Sequence, residues 1–399
     1  MRSINARAFQ RQSAALHLTN GMARILYIAY PLLTVSDESA GGAEQVLWTL
    51  EREMARMGIA TTVAASAGSR VNGELFPTGE PCTRTDDYER RLVEHEDGVV
   101  AFVRQREVQG VSFDLIHDMS GSFWKRAAEI DTPVLATLHL PRSFYPAQSF
   151  QDIPANVSFN CVSGSQSRSF ADLDTMLGVA PNGISLDQFD CSPASSTAHE
   201  PDVREGLLWL GRICEEKAPH LALEIAGRAG LPITIAGQVY PFSYHQQYFE
   251  KEVAPRLQQI PNATFISAPS FPAKRQLLRR AKALLITSLA EETSSLVAME
   301  AAACGTPVIT FRRGALPEVV MDQITGFVVN DVASAVDACQ YVEAIRNMTC
   351  AAHAQEHFSS TKMAEVYARL YARIFHNTAE RLSGIKGAAR ETEYFHQDL

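Results

Sequence analysis

The chain has 399 residues, 46% of them hydrophobic and 20% charged, and its 45 acidic against 36 basic side chains give a formal net charge of −9. That length exceeds one ordinary core and that composition is the composition of a folded protein, so two domains are expected and a disordered or coiled-coil chain is excluded. The acidic balance also argues against a nucleic-acid backbone as the main partner, because phosphate binding needs a basic surface.

Residues 1–21 carry Arg2, Arg7 and Arg11 with no acid, a pattern a transit peptide would share. They read instead as a disordered extension before Met22. Order is expected from Ala23-Arg-Ile-Leu-Tyr-Ile-Ala29, a strand-length apolar run. A loop with Ala40-Gly41-Gly42-Ala43-Glu44 follows, then a helix with Val46, Leu47, Leu50 and Met54 on one side. Glycines there would let a ligand come close to the helix start, or would form a simple turn.

Further strands are predicted at 61–65, 114–117, 134–138 and 157–162, with helices at 90–106 and 163–173. His139 ends the strand Leu135-Ala-Thr-Leu and either faces a cleft or is a satisfied structural histidine, with His117 in a similar position at the end of Phe113-Asp-Leu-Ile. From 190 to 205 the chain is rich in Ser, Pro and Asp and reads as a linker.

Alternation then restarts, with strands predicted at 206–210, 232–236, 263–267, 283–287, 307–310 and 326–329. Helices are predicted between them at 218–229, 245–259, 273–281, 294–304 and 332–345. Strand and helix in alternation imply parallel sheets covered on both faces, so the fold class is α/β with two doubly wound domains facing across a cleft. The expected division is 22–190 for the first domain, 191–205 for the linker, 206–350 for the second domain and 377–399 for a C-terminal tail.

In Leu208-Trp-Leu-Gly211-Arg212-Ile-Cys-Glu-Glu-Lys217, a strand delivers Arg212 to its carboxyl end and Lys217 comes where a helix begins, so the two cations could clamp a diphosphate or simply be surface charges. In Glu291-Glu292-Thr-Ser294-Ser295-Leu296-Val-Ala-Met-Glu300, hydroxyls suited to an N-cap open a helix that Gly305 ends. Eight helical positions span about 12 Å, so Glu292 and Glu300 could reach opposite ends of an extended ligand whose diphosphate sits at the helix N-terminus. The alternative is a solvated loop acid and a helix-surface acid. Glu300 fits that alternative less well, since Val297, Met299, Ala301 and Ala303 around it are apolar. Lys274, Arg275, Arg279, Arg280 and Lys282 either solvate a helix or touch a membrane surface.

The seven cysteines form no C-x-x-C pair, so neither a zinc site nor a disulfide framework is indicated, and reduced thiols suit a cytoplasmic location. The apolar runs fall short of the roughly 20 residues that cross a bilayer, so no transmembrane segment is expected.

Taken in order, these segments resemble the retaining glycosyltransferases of family 4, which have the GT-B fold of two facing Rossmann-like domains. The resemblance is strongest from Leu208 to Val329: strand-G-R-x-x-x-x-K, I-A-G, E-x-x-x-x-x-x-x-E-A-x-A-x-G-T-P-V-I and P-E-V-V-x-D-x-x-T-G-F-V-V. It implies that Glu300 binds ribose hydroxyls, Arg212 and Lys217 the diphosphate, and Glu292 the transferred sugar. The amides of Ser294, Ser295 and Leu296 would approach that sugar and the phosphates. Gly41 and Gly42 would border the diphosphate, with Gly211 among the donor-binding positions, and His139 would contact the sugar from the first domain. A helix at about 362–376 would return to the first domain.

Two departures stand out: Glu292-Thr-Ser-Ser-Leu296 where the family has Glu-Gly-Phe-Gly-Leu, and Ala218 where it has Gly after the lysine. Serine at a glycine position narrows the room beside the sugar. The expected reaction is metal-independent, same-face transfer from a nucleotide-diphosphate sugar, UDP-linked, to a small-molecule, glycan or lipid-linked acceptor, with no cofactor and with peripheral membrane contact allowed. No D-x-D motif lies in a suitable loop, and no side chain stands out as a glycosyl nucleophile. A sugar-nucleotide epimerase or phosphorylase, or a binding protein without turnover, are the alternatives.

Overall fold

The computed structural model describes residues 17–18, 21–39, 41–82, 87–189, 204–240 and 242–394. Most of the N-terminal extension, Ala40, the linker from 190 to 203 and the tail beyond 394 lie outside the described residues.

Among the described residues, thirteen strands form two parallel sheets, beside a two-stranded antiparallel pairing of His17–Leu18 with Gly21–Met22. The first holds β1 (Arg24–Ile28), β2 (Ala60–Ala65), β3 (Glu74–Pro77), β4 (Leu115–Asp118), β5 (Val134–Leu138), β6 (Val157–Cys161) and β7 (Met176–Val179) in the order β3-β2-β1-β4-β5-β6-β7. The second holds β8 (Leu207–Leu210), β9 (Ile233–Gly237), β10 (Ala263–Ser267), β11 (Ala283–Ile286), β12 (Val308–Phe311) and β13 (Gly326–Val329) in the order β10-β9-β8-β11-β12-β13. Both are the doubly wound order, whose strand order reverses beside the first strand and leaves a crevice there. The GT-B arrangement implied by the resemblance is the one observed.

Residue alternation places a core on each face of each sheet. In β1, Ile25 and Tyr27 face α1 (Gly42–Arg56), while Leu26 and Ile28 join the cluster under α2 (Tyr88–Val108). In β8, Leu208 faces α7 (Leu296–Ala303) and Leu207 and Trp209 face α4 (Pro219–Ala229). The remaining helices named below are α3 (Gly164–Ser169), α5 (Ser243–Tyr248), α6 (Phe271–Arg280), α8 (Val332–Tyr341), α9 (Asn347–His357) and α10 (Ser360–Tyr394).

The last helix returns to the first sheet, and Met363, Tyr367, Leu370, Tyr371 and Ile374 complete the core beside α1. It runs to Tyr394, well past 376, because Ala, Glu, Arg and Leu favour its continuation. A buried polar chain bonds it to the sheet. Tyr371 Oη lies 2.7 Å from His117 Nδ1 and 3.2 Å from Tyr27 Oη, and His117 Nε2 lies 2.7 Å from Thr137 Oγ1. His117 therefore does not face the cleft: its ring is spent on holding α10, and burial pushes its pKa well below the ordinary range.

The chain crosses between domains twice, and the crossings run side by side. Ile184 N–H donates to the Phe358 carbonyl at 2.8 Å and Ser360 N–H to the Ile184 carbonyl at 2.9 Å. Gly183 permits this approach, since a Cβ there would lie 2.6 Å from the Ser359 carbonyl oxygen. Away from that hinge, Glu318 of the P-E-V-V motif accepts the N–H groups of Gly164 and Ser165 at the start of α3, at 2.9 and 2.5 Å.

Tyr371→Phe should leave His117 Nδ1 and Tyr27 Oη without their partner in an apolar core. A loss of about 1–3 kcal/mol is expected by urea denaturation, and an unchanged midpoint would show that the polar chain contributes nothing.

Candidate functional site

The turn after β8 is fixed by contacts that leave no slack. Gly211 N–H donates to the Ala236 carbonyl, and a Cβ on Gly237 would lie 1.8 Å from the Gly211 oxygen, so only glycine lets the two strand ends pass. Arg212 emerges exposed, its guanidinium 5.9 Å from the Tyr240 ring centroid. A short turn, Glu215–Lys217, follows and is closed by Ala218 at φ 48°, ψ 54°. This left-handed conformation costs an alanine roughly 1–2 kcal/mol. Trp209 Nε1 donates to Thr287 Oγ1 at 3.2 Å, and that hydroxyl donates to the Ala218 carbonyl at 2.8 Å, clamping the turn to the end of β11.

Lys217 Nζ is thereby held 2.5 Å from Glu292 Oε1, with Ser288 Oγ donating to the same oxygen. Glu292 lies in the short polar loop before α7, whose first residue is Leu296. The loop also rests on Gly314, where φ is +53° and a Cβ would lie 2.1 Å from the Glu292 carbonyl oxygen. Ser295 caps α7, accepting from Ala298 N–H at 3.4 Å. Thr293 does not cap it; its hydroxyl donates across the cleft to the His139 carbonyl at 2.7 Å. Ser294 Oγ is buried with no hydrogen-bond partner among the described residues.

Glu300 is 3% exposed on an α7 that is apolar nearly all round, and Lys274 Nζ of α6 meets its Oε1 at 2.7 Å. Together with Leu296 it lines a hollow shared with Gln45 and Thr49 of α1 and Ser185 and Gln188 of the hinge. The basic cluster on α6 is correspondingly engaged: Arg275 donates to the Gln188 carbonyl at 3.0 Å and Lys282 pairs with Glu343 at 2.7 Å.

From the first domain, Gly41 and Gly42 start α1. A Cβ on Gly42 would be 3.6 Å from Leu296 Cδ1, so the N-termini of α1 and α7 face one another across the cleft. Glu44 folds its carboxylate back over Gly41, where a Cβ would lie 1.9 Å from Oε2, and burial pushes that carboxyl up to about 7. His139 has a buried Nε2 with no partner among the described residues, and burial pushes the imidazole down to about 4, so the ring is neutral at pH 7.

Arg212, Lys217, Glu292, Ser294, Ser295, Leu296, Glu300, Gly41, Gly42, Gly211 and His139 thus lie along the cleft or on the turns that border it. Sequence reasoning missed Lys274, Ser288, Tyr240 and Glu44. Glu44 stands in the glycine motif itself; Lys274 was hidden among the four cations of its helix. The arrangement offers two cations and two helix starts to an anionic ligand, with carboxylates to accept hydroxyl donors beside them. Among the described residues no helix is long and apolar enough to cross a membrane.

Residues 198–356 match the family model described as glycosyl transferases group 1. A D-inositol 3-phosphate glycosyltransferase of Mycolicibacterium paratuberculosis is 32% identical over 168 residues, 41% of this chain and 38% of that protein. That of Mycobacteroides abscessus is 31% identical over 157 residues, 38% and 35% of the two chains. The chain thus spans little more than a third of the length of the curated relatives it matches. Among solved structures, sucrose-phosphate synthase from Thermosynechococcus elongatus superposes with a TM-score of 0.71 at 19% identity, over 89% of this chain and 100% of that one. The HepE protein of Anabaena in complex with UDP and glucose gives 0.67 at 14% identity, over 88% and 100%. These structural likenesses establish the fold over about nine-tenths of the chain.

Because Glu44 holds its proton more tightly folded than unfolded, the stability it contributes is present at acidic pH and is lost as pH rises through about 7. Glu44→Gln cannot ionise and should remove a penalty of order 3 kcal/mol at pH 8 while changing little at pH 5. Denaturation midpoints at the two pH values test this; a parallel shift at both would refute it.

Proposed function

We propose that the protein is a glycosyltransferase that moves a sugar, with retention of configuration, from a nucleotide-diphosphate sugar to an acceptor hydroxyl. The observation that carries this reading is the meeting of Lys217 with Glu292 beside the facing starts of α1 and α7, with Glu300 buried one helix further along. The match of 198–356 to the glycosyl transferases group 1 model covers the same turn and helix.

Glu300, oriented by Lys274, accepts the ribose hydroxyls; Glu292 accepts those of the transferred sugar. The diphosphate lies at the helix starts, where the amides of Ser294, Ser295 and Leu296 and the glycines at 41 and 42 allow close approach. On binding, the phosphates compete with Glu292 for Lys217. The anomeric carbon–oxygen bond to the diphosphate breaks as the bond to the acceptor oxygen forms on the same face, and the acceptor's proton passes to the departing phosphate oxygen. Arg212 and Lys217 stabilise the charge that develops there, so no divalent ion is needed on the diphosphate. His139, neutral, donates or accepts one hydrogen bond to the sugar. Acceptor contacts come from first-domain loops such as 140–156. UDP is the proposed nucleotide, in keeping with the UDP and glucose of the Anabaena neighbour.

Thermal-shift titration with nucleoside diphosphates should give the largest rise with UDP, and equal rises with ADP or GDP would refute that choice. With a turnover assay in hand, Lys217→Ala and Arg212→Ala should each lower kcat by about 10²–10³-fold, and Glu300→Gln should mainly weaken nucleotide binding. Added Mg2+ or Mn2+ should leave the rate unchanged, and NMR of the product should find the donor's anomeric configuration kept. Phosphate-dependent cleavage or epimerised donor would indicate the other enzymes of this architecture.

A further inference from the structure

Beside Arg212 and Lys217, three side chains converge for which sugar transfer has no use. Cys214 and Glu216 belong to the turn after β8 and His245 to α5. The thiol sulfur, a carboxylate oxygen and an imidazole nitrogen all lie within 4.8 Å of one another. Cys214 is fully buried, His245 is 1% exposed, and neither ring nitrogen of His245 has a hydrogen-bond partner among the described residues. A buried imidazole with both nitrogens unsatisfied is costly and needs an explanation. Tyr240, Phe242 and Tyr244 wall the ring, with centroids 4.3 to 6.1 Å away, so bulk water does not supply one.

Sulfur, nitrogen and carboxylate oxygen together form a zinc-type donor set. With bonds of about 2.0–2.3 Å, tetrahedral ligands sit roughly 3.3–3.8 Å apart, so the three atoms need to close by about 1 Å. Burial lowers the pKa of the imidazole and raises that of the Cys214 thiol. Arg212 is the charge that opposes an ion here, acting on Cys214, Glu216 and His245 alike, while Tyr240 and Tyr244 face the site uncharged.

We propose that Cys214, Glu216 and His245 bind one zinc-class divalent ion through thiolate, carboxylate and imidazole, with a fourth position left for water. The thiol proton is released on binding, and thiolate plus carboxylate balance the ion's two charges. The ion pins the turn bearing Arg212 and Lys217 to α5; it takes no part in the transfer steps above and does not depend on them.

The test uses the full chain, stripped of metal and titrated with Co2+ in the absence of nucleotide. A thiolate-to-cobalt charge-transfer band should saturate at one equivalent and be bleached by Zn2+, and Zn2+ should raise the melting temperature. Cys214→Ser and His245→Phe should abolish the band or weaken affinity at least tenfold, while Cys82→Ser keeps it. If either variant fails to fold, Glu216→Gln, the least buried ligand, should still weaken binding at least tenfold. Absence of the band at micromolar cobalt, or its persistence in the ligand variants, would overturn the site. Nucleotide titration of the metal-free chain reports separately on the donor site.

Discussion

A carboxylate taken out of water must find a cation or give up its charge, and the second domain is organised around that requirement. Glu300 sits in an almost wholly apolar helix, and Lys274 reaches it from the neighbouring helix while its stem lies against Phe189 and Phe271. Glu292 meets the same demand through Lys217. Neither pair is mainly a source of stability, since desolvation offsets much of the attraction between buried charges. Their effect is positional: each acid has its Oε1 held by a lysine.

Holding Lys217 in place falls to backbone and not to charge. Ala218 accepts a left-handed conformation, Thr287 and Trp209 lock that turn onto β11, and Gly237 lets the adjoining strand end pass. Strain of this kind persists only where surrounding contacts over-determine it. Across the cleft the Thr293 hydroxyl donates to the His139 carbonyl, Glu318 caps α3, and Leu296 packs against the core of the first domain.

Much of the sheet architecture was legible because β1, β5, β8 and β11 are apolar runs between clear turns. Two strands were not. β3, Glu-Leu-Phe-Pro, is an exposed edge with an acid and a proline, and β7 carries Gly178 at φ +140° beside a register shift against β6, so neither has a period-2 signature. The polar motifs marked the turns that border the cleft and the loop that holds Glu292, yet the course of that loop is set by Gly314, seen only in three dimensions. His117 and His139 look alike in sequence. Only packing distinguishes them, because the partner of His117 is a tyrosine 254 residues away.

The paired crossings at Ile184 and Ser359 place β1–β7 and α10 in one domain while the other is threaded between them. Severing the segment between 189 and 204 would therefore not release the second domain: it would stay covalently joined through the entry into α10, and the two pieces would travel together until denatured. Rotation between the halves is confined as well, because a twist at one strand drags its hydrogen-bonded companion. What freedom remains is a bend about the line through those two residues, as a door swings on two pins.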